Sequence, residues 1–494
     1  MNKLEILKEI KIGHRIAEDE ANELAAYFFE TEQWQSLEDD EIDIVYGSKG
    51  TGKSALYTLL SRKEDDFFDK QILLAPAENP MGAPAFKEIV SNPPPSEQEL
   101  NNIWKIYLLT VAASQLREYA IKNDYATKLI EVLESAGLLP RHYSLTTLLK
   151  SARDYIFSLA GRKPAATEWE LGIDPISGMP LLKRRSEFGE DQKENLSRLP
   201  ADELVEIADL ALKSAGISLW LLLDRLDVSF AESREFERVA LRGLFRVYSD
   251  FKAYSNIKIK IFVRDDIWQR ITDGGFAEAS HIVKYTTTSW DRGGILNLVV
   301  RRLLNNQTLC DYLKVKKTEV LSSAEEQDKM IKRILPEKVA AGKNPETFDW
   351  ILSRVSDGRK LFAPREVIHM LDCMRRGQIK KLEQGDNGLE NEELFDRQVI
   401  RTALEEVSKT RYEKTLIAEY PEFKIYTEAL RKQKAEQNIT SLSSLWSTTE
   451  AKAKEIAEGL ISIGFFELKG DKQEPSYWVP FLYRDALELV QGKA

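Results

Sequence analysis

Two cysteines in 494 residues, Cys310 and Cys373, leave nothing from which to build a disulfide framework. Their spacing is not that of metal ligands, and such sparing use fits a reducing cytoplasm. The four histidines, His14, His142, His281 and His369, are scattered, so no zinc site is expected. Long hydrophobic runs are also missing, which excludes a membrane span. Met1-Asn2-Lys3-Leu4-Glu5 carries charge where a signal peptide would be apolar, so the expected location is the cytoplasm. Surplus positive charge is absent too: 70 basic residues face 80 acidic ones, for a net charge of −10. Such a chain is not built for non-specific nucleic-acid binding, although a local basic patch stays open. What is present is 43% hydrophobic and 30% charged residues, enough for proper cores in two or three domains.

The most informative stretch is the octet Gly47-Ser48-Lys49-Gly50-Thr51-Gly52-Lys53-Ser54, which fits the nucleotide-phosphate pattern G-x-x-x-x-G-K-[ST]. Its context decides its meaning. Glu41–Tyr46 before it reads as a short apolar strand, and Ala55–Leu60 after it as the first turns of a helix. Strand, glycine-rich turn and helix turn successive backbone N–H groups one way and add the positive end of the helix dipole. Lys53 is expected to reach the β- and γ-phosphates, and the Ser54 hydroxyl to take a Mg²⁺ position. With Ala55 opening the helix, residues 47–55 are the candidate nucleotide-binding set.

An ATPase also needs a carboxylate at the end of a neighbouring buried strand. Ile217–Leu223 is nearly continuous apolar sequence, as a central parallel strand requires, and it ends in Asp224. Asp224 is the expected Mg²⁺ ligand with Ser54. Many ATPases follow this aspartate with a water-orienting glutamate; here Arg225 stands there, and the next carboxylate is Asp227. Either Asp227 takes the water-positioning role, or the site hydrolyses slowly and works as a nucleotide-dependent switch. Loss of a general base costs about 10²–10⁴-fold in rate, so the choice separates motor from switch.

A third strand, Ile257–Val263, runs into Arg264-Asp265-Asp266. Lying beside the metal strand, it makes Arg264 a candidate γ-phosphate sensor; the alternative is a structural ion pair with Asp265 or Asp266. Gln71–Ala75 reads as a further strand. Arg234, Arg238, Arg242 and Arg246 line one face of an intervening helix, either as a finger to a neighbouring subunit's nucleotide or a nucleic-acid contact, or as a solvated face paired with Glu232, Glu235 and Glu237.

Residues 1–40 read as helical. The two nucleotide segments are far apart, so about 119–200 holds a mostly helical insertion. The expected division is a P-loop ATPase core at 1–305, a helical lid at 306–385 and a C-terminal part at 386–494, with a linker at Gly385–Gly388. Late in the lid, Pro364-Arg365 opens a helix, and Arg365 is nominated to lie over the phosphates against a plain helix-start role. Near the end, Ser447-Thr448-Thr449-Glu450 is a capping box, and a helix to Gly464 precedes a hairpin of Phe465–Leu468 and Tyr477–Pro480. Helix then hairpin is a winged-helix pattern. From Gln437 onward six basic residues meet eight acidic ones, and the helix itself carries Glu450, Glu455 and Glu458. That balance favours a protein-interaction wing over a DNA reader.

Taken together, the chain resembles the AAA+-related P-loop ATPases of bacteria, especially the STAND and KAP-like branch. The resemblance rests on Ile12–Glu18, Tyr27–Thr31, Val45–Tyr57, Leu221–Asp227 and Pro364-Arg365-Glu366. It implies an α/β fold with a parallel-sheet core, a helical lid with a sensor arginine, and bound ATP and Mg²⁺. It also implies ATP-controlled assembly with itself or a separate effector, in settings such as stress signalling or anti-phage defence. Two departures stand out: Arg225 replaces the usual glutamate, and the long repeat sensors of STAND proteins are absent. A DNA-dependent ATPase of the initiator or loader kind is the competing expectation, and a nucleotide-binding scaffold with negligible turnover is a third.

Overall fold

The computed structural model describes the chain except residues 1, 15–19, 29, 78–94, 140–151, 154, 157–170, 174–179, 183–198, 227–233, 387–388, 390 and 471–474. The described residues form two compact units. One comprises Gln33–Tyr46 and Tyr57–Thr287; the other comprises Met1–Glu32, Gly47–Leu56 and Thr288–Ala494.

The first unit is a sheet sandwiched by helices. Short apolar runs that can be buried on both faces become its strands: β1 (Ile44–Gly47), β2 (Ile72–Pro76), β5 (Ser218–Leu223), β6 (Ile257–Arg264) and β7 (Tyr285–Thr287). A separate antiparallel pair, β3 (Leu171–Ile173) and β4 (Pro180–Leu182), lies in the stretch expected to be mostly helical. The five main strands lie in the order β2-β5-β6-β1-β7. The β2–β5, β5–β6 and β1–β7 pairs are parallel, with Leu73 opposite Leu219, Leu221 opposite Ile259 and Val45 opposite Thr286. This is an α/β fold on a parallel sheet, the class the sequence predicts. Leu219 and Leu221 are completely buried, as a central strand demands. The Glu97–Glu118 helix starts at Ser96 through a capping box with Glu99. It packs against the Ala201–Ala215 and Arg234–Phe251 helices, and Trp104 Nε1 donates to Ala240 O at 2.8 Å.

One feature of β6 runs against its pattern. Lys258 and Lys260 read as the polar side of an alternating strand, yet Lys260 is fully buried. Its ammonium donates to Asp40 Oδ1 at 2.6 Å, Ile42 O at 2.7 Å and Asp43 Oδ1 at 2.8 Å, 4.3 Å from the Trp220 ring centroid. A buried charge persists only when it is paired and hydrogen-bonded in this way. Lys260→Met should therefore lower unfolding stability by about 3–5 kcal/mol, because it takes the ammonium from buried Asp43 and leaves Asp40 with Lys258 on the strand, and a denaturant titration reads this directly. Burial pushes the Asp40 carboxyl up, but Lys260 and Lys258 outweigh it and hold the group below its usual value. A carboxyl depressed in the folded state stabilises above its unfolded pKa and loses that contribution as pH falls. Acid unfolding below about pH 4 should accordingly be less steep in Asp40→Asn.

The second unit holds the phosphate-pattern octet, the N-terminal helices and everything after Thr288. Its N-terminal segment is helical at Lys3–Glu9 and Ala21–Tyr27. Arg302 clamps it: the guanidinium donates to Ile12 O at 2.9 Å and Glu20 Oε1 at 2.6 Å, above the Tyr27 ring. The region expected as a lid is helical, and its last helix is Pro364–Glu383. That helix packs on Arg397–Arg411. Near the C-terminus, β8 (Lys434–Gln437), β9 (Glu467–Lys469), β10 (Ser476–Trp478) and β11 (Val490–Lys493) form a second sheet in the order β11-β8-β10-β9. The helices Ile439–Leu445 and Glu450–Ser462 lie between β8 and β9 in the chain. The expected hairpin is the antiparallel β9–β10 pair; its turn lies outside the described residues. Among the described residues, no helix is long and apolar enough to cross a membrane.

Candidate phosphate-binding loop and its surroundings

β1 ends at Gly47 and Lys53 opens the Lys53–Arg62 helix, so the octet spans a strand-to-helix turn. Gly47 tolerates no side chain: a β-carbon there would collide with Thr288 Oγ1. Gly50 has a φ of +86°, a region that L-residues rarely adopt, and its added β-carbon would stand 3.0 Å from Arg365 Cβ. Lys53 is only 7% exposed, and its ammonium donates to Gly47 O at 2.6 Å and Ser48 O at 3.0 Å. The lysine thus folds back along the loop, with the helix N-terminus beside it. A loop of this make-up fits an anionic phosphate group: a buried cation, a helix N-terminus and glycines that bring the backbone close.

Two residues that the sequence reading passed over brace the loop. Thr51 Oγ1 donates to Ser48 O at 2.8 Å and lies 2.7 Å from Thr288 Oγ1. Trp290 Nε1 donates to Thr51 O at 2.7 Å. Both braces directly follow β7, a position that only the strand order makes meaningful. Lys49 pairs with Glu419.

Arg365, nominated to lie over the phosphates, packs against Gly50 within this unit. Pro364 occupies the first turn of the helix, as its fixed φ allows, and Arg365 follows it against Gly50. The guanidinium is half-buried, and its Nε is buried with no hydrogen-bonding partner among the described residues. A buried donor left in this way is an invitation to an acceptor. The neighbouring Glu366 is tied to Arg411 at 3.0 Å.

In the sheet unit, Asp224 directly follows β5 and is 6% exposed. Arg225 has a φ of +54°, a strained conformation for a residue with a side chain. Asp227 lies outside the described residues. β6 is hydrogen-bonded beside β5, as expected, and Arg264 ends it. Arg264 makes a two-pronged ion pair with Asp266, at 2.9 and 3.0 Å. The arginine-lined helix is tied within its own unit. Arg238 pairs with Glu235, Arg242 donates to the carbonyls of Ile271, Asp273 and Gly275, and Arg246 pairs with Glu97 and Glu278. The side chain of Arg234 lies outside the description.

Ligand spacing, read as absent from the sequence, turns up on one helix. His369 and Cys373 stand one turn apart on Pro364–Glu383, and Glu406 faces them from Arg397–Arg411, with the ligating atoms all within 4.8 Å of one another. The i, i+4 spacing was there to be seen; Glu406 was not, because it comes from another helix. Burial pushes the Cys373 thiol up to about 12, and the charge of Glu406 adds to that.

No protein-family model matches this sequence, and the search of curated proteins gives no match. Several solved structures are similar at a low level. The ORC2 protein of Aeropyrum pernix, in ADPNP-ADP complexes, is 11% identical, with 97% of this chain and 95% of that one covered and a TM-score of 0.31. The ORC1 protein of Aeropyrum pernix in complex with DNA is 10% identical, covering 90% and 86%, with a TM-score of 0.33. A Walker-type ATPase of Pyrococcus abyssi is 10% identical, covering 93% and 96%, with a TM-score of 0.38. Likeness at this level carries no functional weight.

Proposed function

We propose that this chain is a Mg²⁺-dependent, ATP-binding and ATP-hydrolysing switch of the AAA+ type that assembles with itself or with a partner effector. The observation that carries the reading is the octet set as a strand-to-helix turn, with Lys53 buried in it and Arg365 packed on Gly50. Residues 47–55 would hold the phosphates, with Lys53 on the β- and γ-groups. Ser54 and Asp224 are the residues assigned to Mg²⁺, which when bound neutralises phosphate charge. Arg365 is assigned as the lid sensor. Arg264 is assigned as a second sensor, and that role requires its ion pair with Asp266 to open. Asp227 is assigned to position water, and the strained Arg225 beside the metal aspartate is consistent with slow turnover. We retain the division into a core at 1–305, a lid at 306–385 and a C-terminal part at 386–494. The branch we favour is STAND/KAP-like, acting in the cytoplasm in defence or stress signalling.

The order β8, two helices, β9, β10 is that of a winged helix, and we read it as an interaction wing. Its second helix presents Glu450, Glu455 and Glu458, and there Lys452 is taken up by Glu455. The test is phosphate release with and without duplex DNA at two salt concentrations. Release should need Mg²⁺ and change less than about twofold with DNA; strong stimulation that salt abolishes would move the chain to the loader class. A mass measurement should show a larger assembly with ATP than without it.

A further inference from the structure

We propose that His369, Cys373 and Glu406 form a binding site for a borderline-soft divalent cation of the Zn²⁺ class. The site is unrelated to the Mg²⁺ position and stands whether or not the nucleotide reading does. One imidazole, one thiol sulfur and one carboxylate oxygen meet within 4.8 Å. Around a tetrahedral zinc such ligands sit about 3.3–3.8 Å apart, given bonds of about 2.0–2.3 Å, so a small closure of the two helices suffices. A nitrogen, sulfur and oxygen donor set selects Zn²⁺ or Co²⁺ over the hard cations Mg²⁺ and Ca²⁺. With three protein ligands, a fourth position is left for water.

A cation already stands at this spot. Arg376 Nη2 donates to Glu406 Oε1 at 2.7 Å and lies 3.2 Å from Cys373 Sγ. The same guanidinium is held from its other side by Asp372, which accepts from Nε at 3.0 Å. A metal ion arriving at the triad would take over the Nη2 contacts and displace the thiol proton to solvent, while Arg376 keeps Asp372. His369 and Cys373 are 7% and 4% exposed, so their ring and sulfur are fixed by packing, whereas Glu406 is exposed and gives the ion a way in. The bound ion would cross-link Pro364–Glu383 to Arg397–Arg411, alongside the Glu366–Arg411 ion pair. His369 lies one turn beyond Arg365, so the metal would stiffen the helix that sets that arginine on the loop.

The test is a Co²⁺ titration of the full-length chain, freed of metal beforehand. The expected result is one Co²⁺ per chain with a thiolate-to-cobalt charge-transfer band in the near ultraviolet, displaced by Zn²⁺. Only two cysteines exist, so the control is built in: Cys373→Ser should abolish the band and Cys310→Ser should keep it. No band in the wild-type chain, or a band that survives in Cys373→Ser, overturns the site. X-ray absorption of the zinc-loaded wild-type chain needs no variant. It should show one sulfur at about 2.3 Å among nitrogen and oxygen neighbours, and a shell without sulfur overturns the assignment.

Discussion

Arg365→Ala is expected to slow ATP turnover by about 10²–10³-fold while changing the Kd for ATP by less than about tenfold. The reasoning starts from position. Proline at the head of the helix fixes where the next residue points, and that residue packs on Gly50, in the middle of the phosphate-pattern octet. A preorganised donor aimed at charge that develops during the reaction acts mainly on turnover, because the ground state uses it little. Among the described residues Nε has no partner, so alanine breaks no hydrogen bond there and the melting temperature should fall by only a few degrees. Arg365→Lys should not rescue turnover, since a point charge cannot replace the planar fork. Steady-state kinetics separate the cases: a loss confined to binding, with turnover unchanged, would mark uniform binding, and no loss would leave Arg365 a helix-start residue.

Lys53→Ala is expected to weaken ATP binding by about 10²-fold or more, the loss of a charge-assisted contact worth about 3 kcal/mol. The protein should still fold. What alanine removes from the free chain is an ammonium that donates to Gly47 O in a buried contact and to Ser48 O in a part-buried one, a local loss at one turn that leaves both hydrophobic cores untouched. Circular dichroism and a thermal melt establish folding, and a fluorescent-nucleotide titration reads the affinity. Undiminished binding would remove the octet from the site.

What could be read from the sequence was what is local. The octet and its flanks declare themselves because the chemistry of a phosphate loop is written in consecutive residues. The runs that became β5 and β6 were readable because burial on both faces demands nearly unbroken apolar sequence. Arg365 could be nominated from a proline–arginine pair at a helix start. What could not be read depends on partners far along the chain. Lys260 looks like the wet side of a strand until Asp40 and Asp43 are seen around it. Arg242 looks like one of a solvated row until three carbonyls of another segment receive it. Thr288 and Trp290 mean little until β7 is paired with β1. The metal triad was half visible, in His369 and Cys373, and needed a second helix to complete it.

The central claim is that residues 47–54 hold the phosphates of ATP. Calorimetric titration of ATP into the full-length chain, with and without Mg²⁺, tests it most directly. The account predicts saturable binding of one ATP per chain in the wild type, tighter with Mg²⁺, and binding weakened about 10²-fold in Lys53→Ala. No binding to the wild-type chain, or equal binding to both proteins, would contradict it.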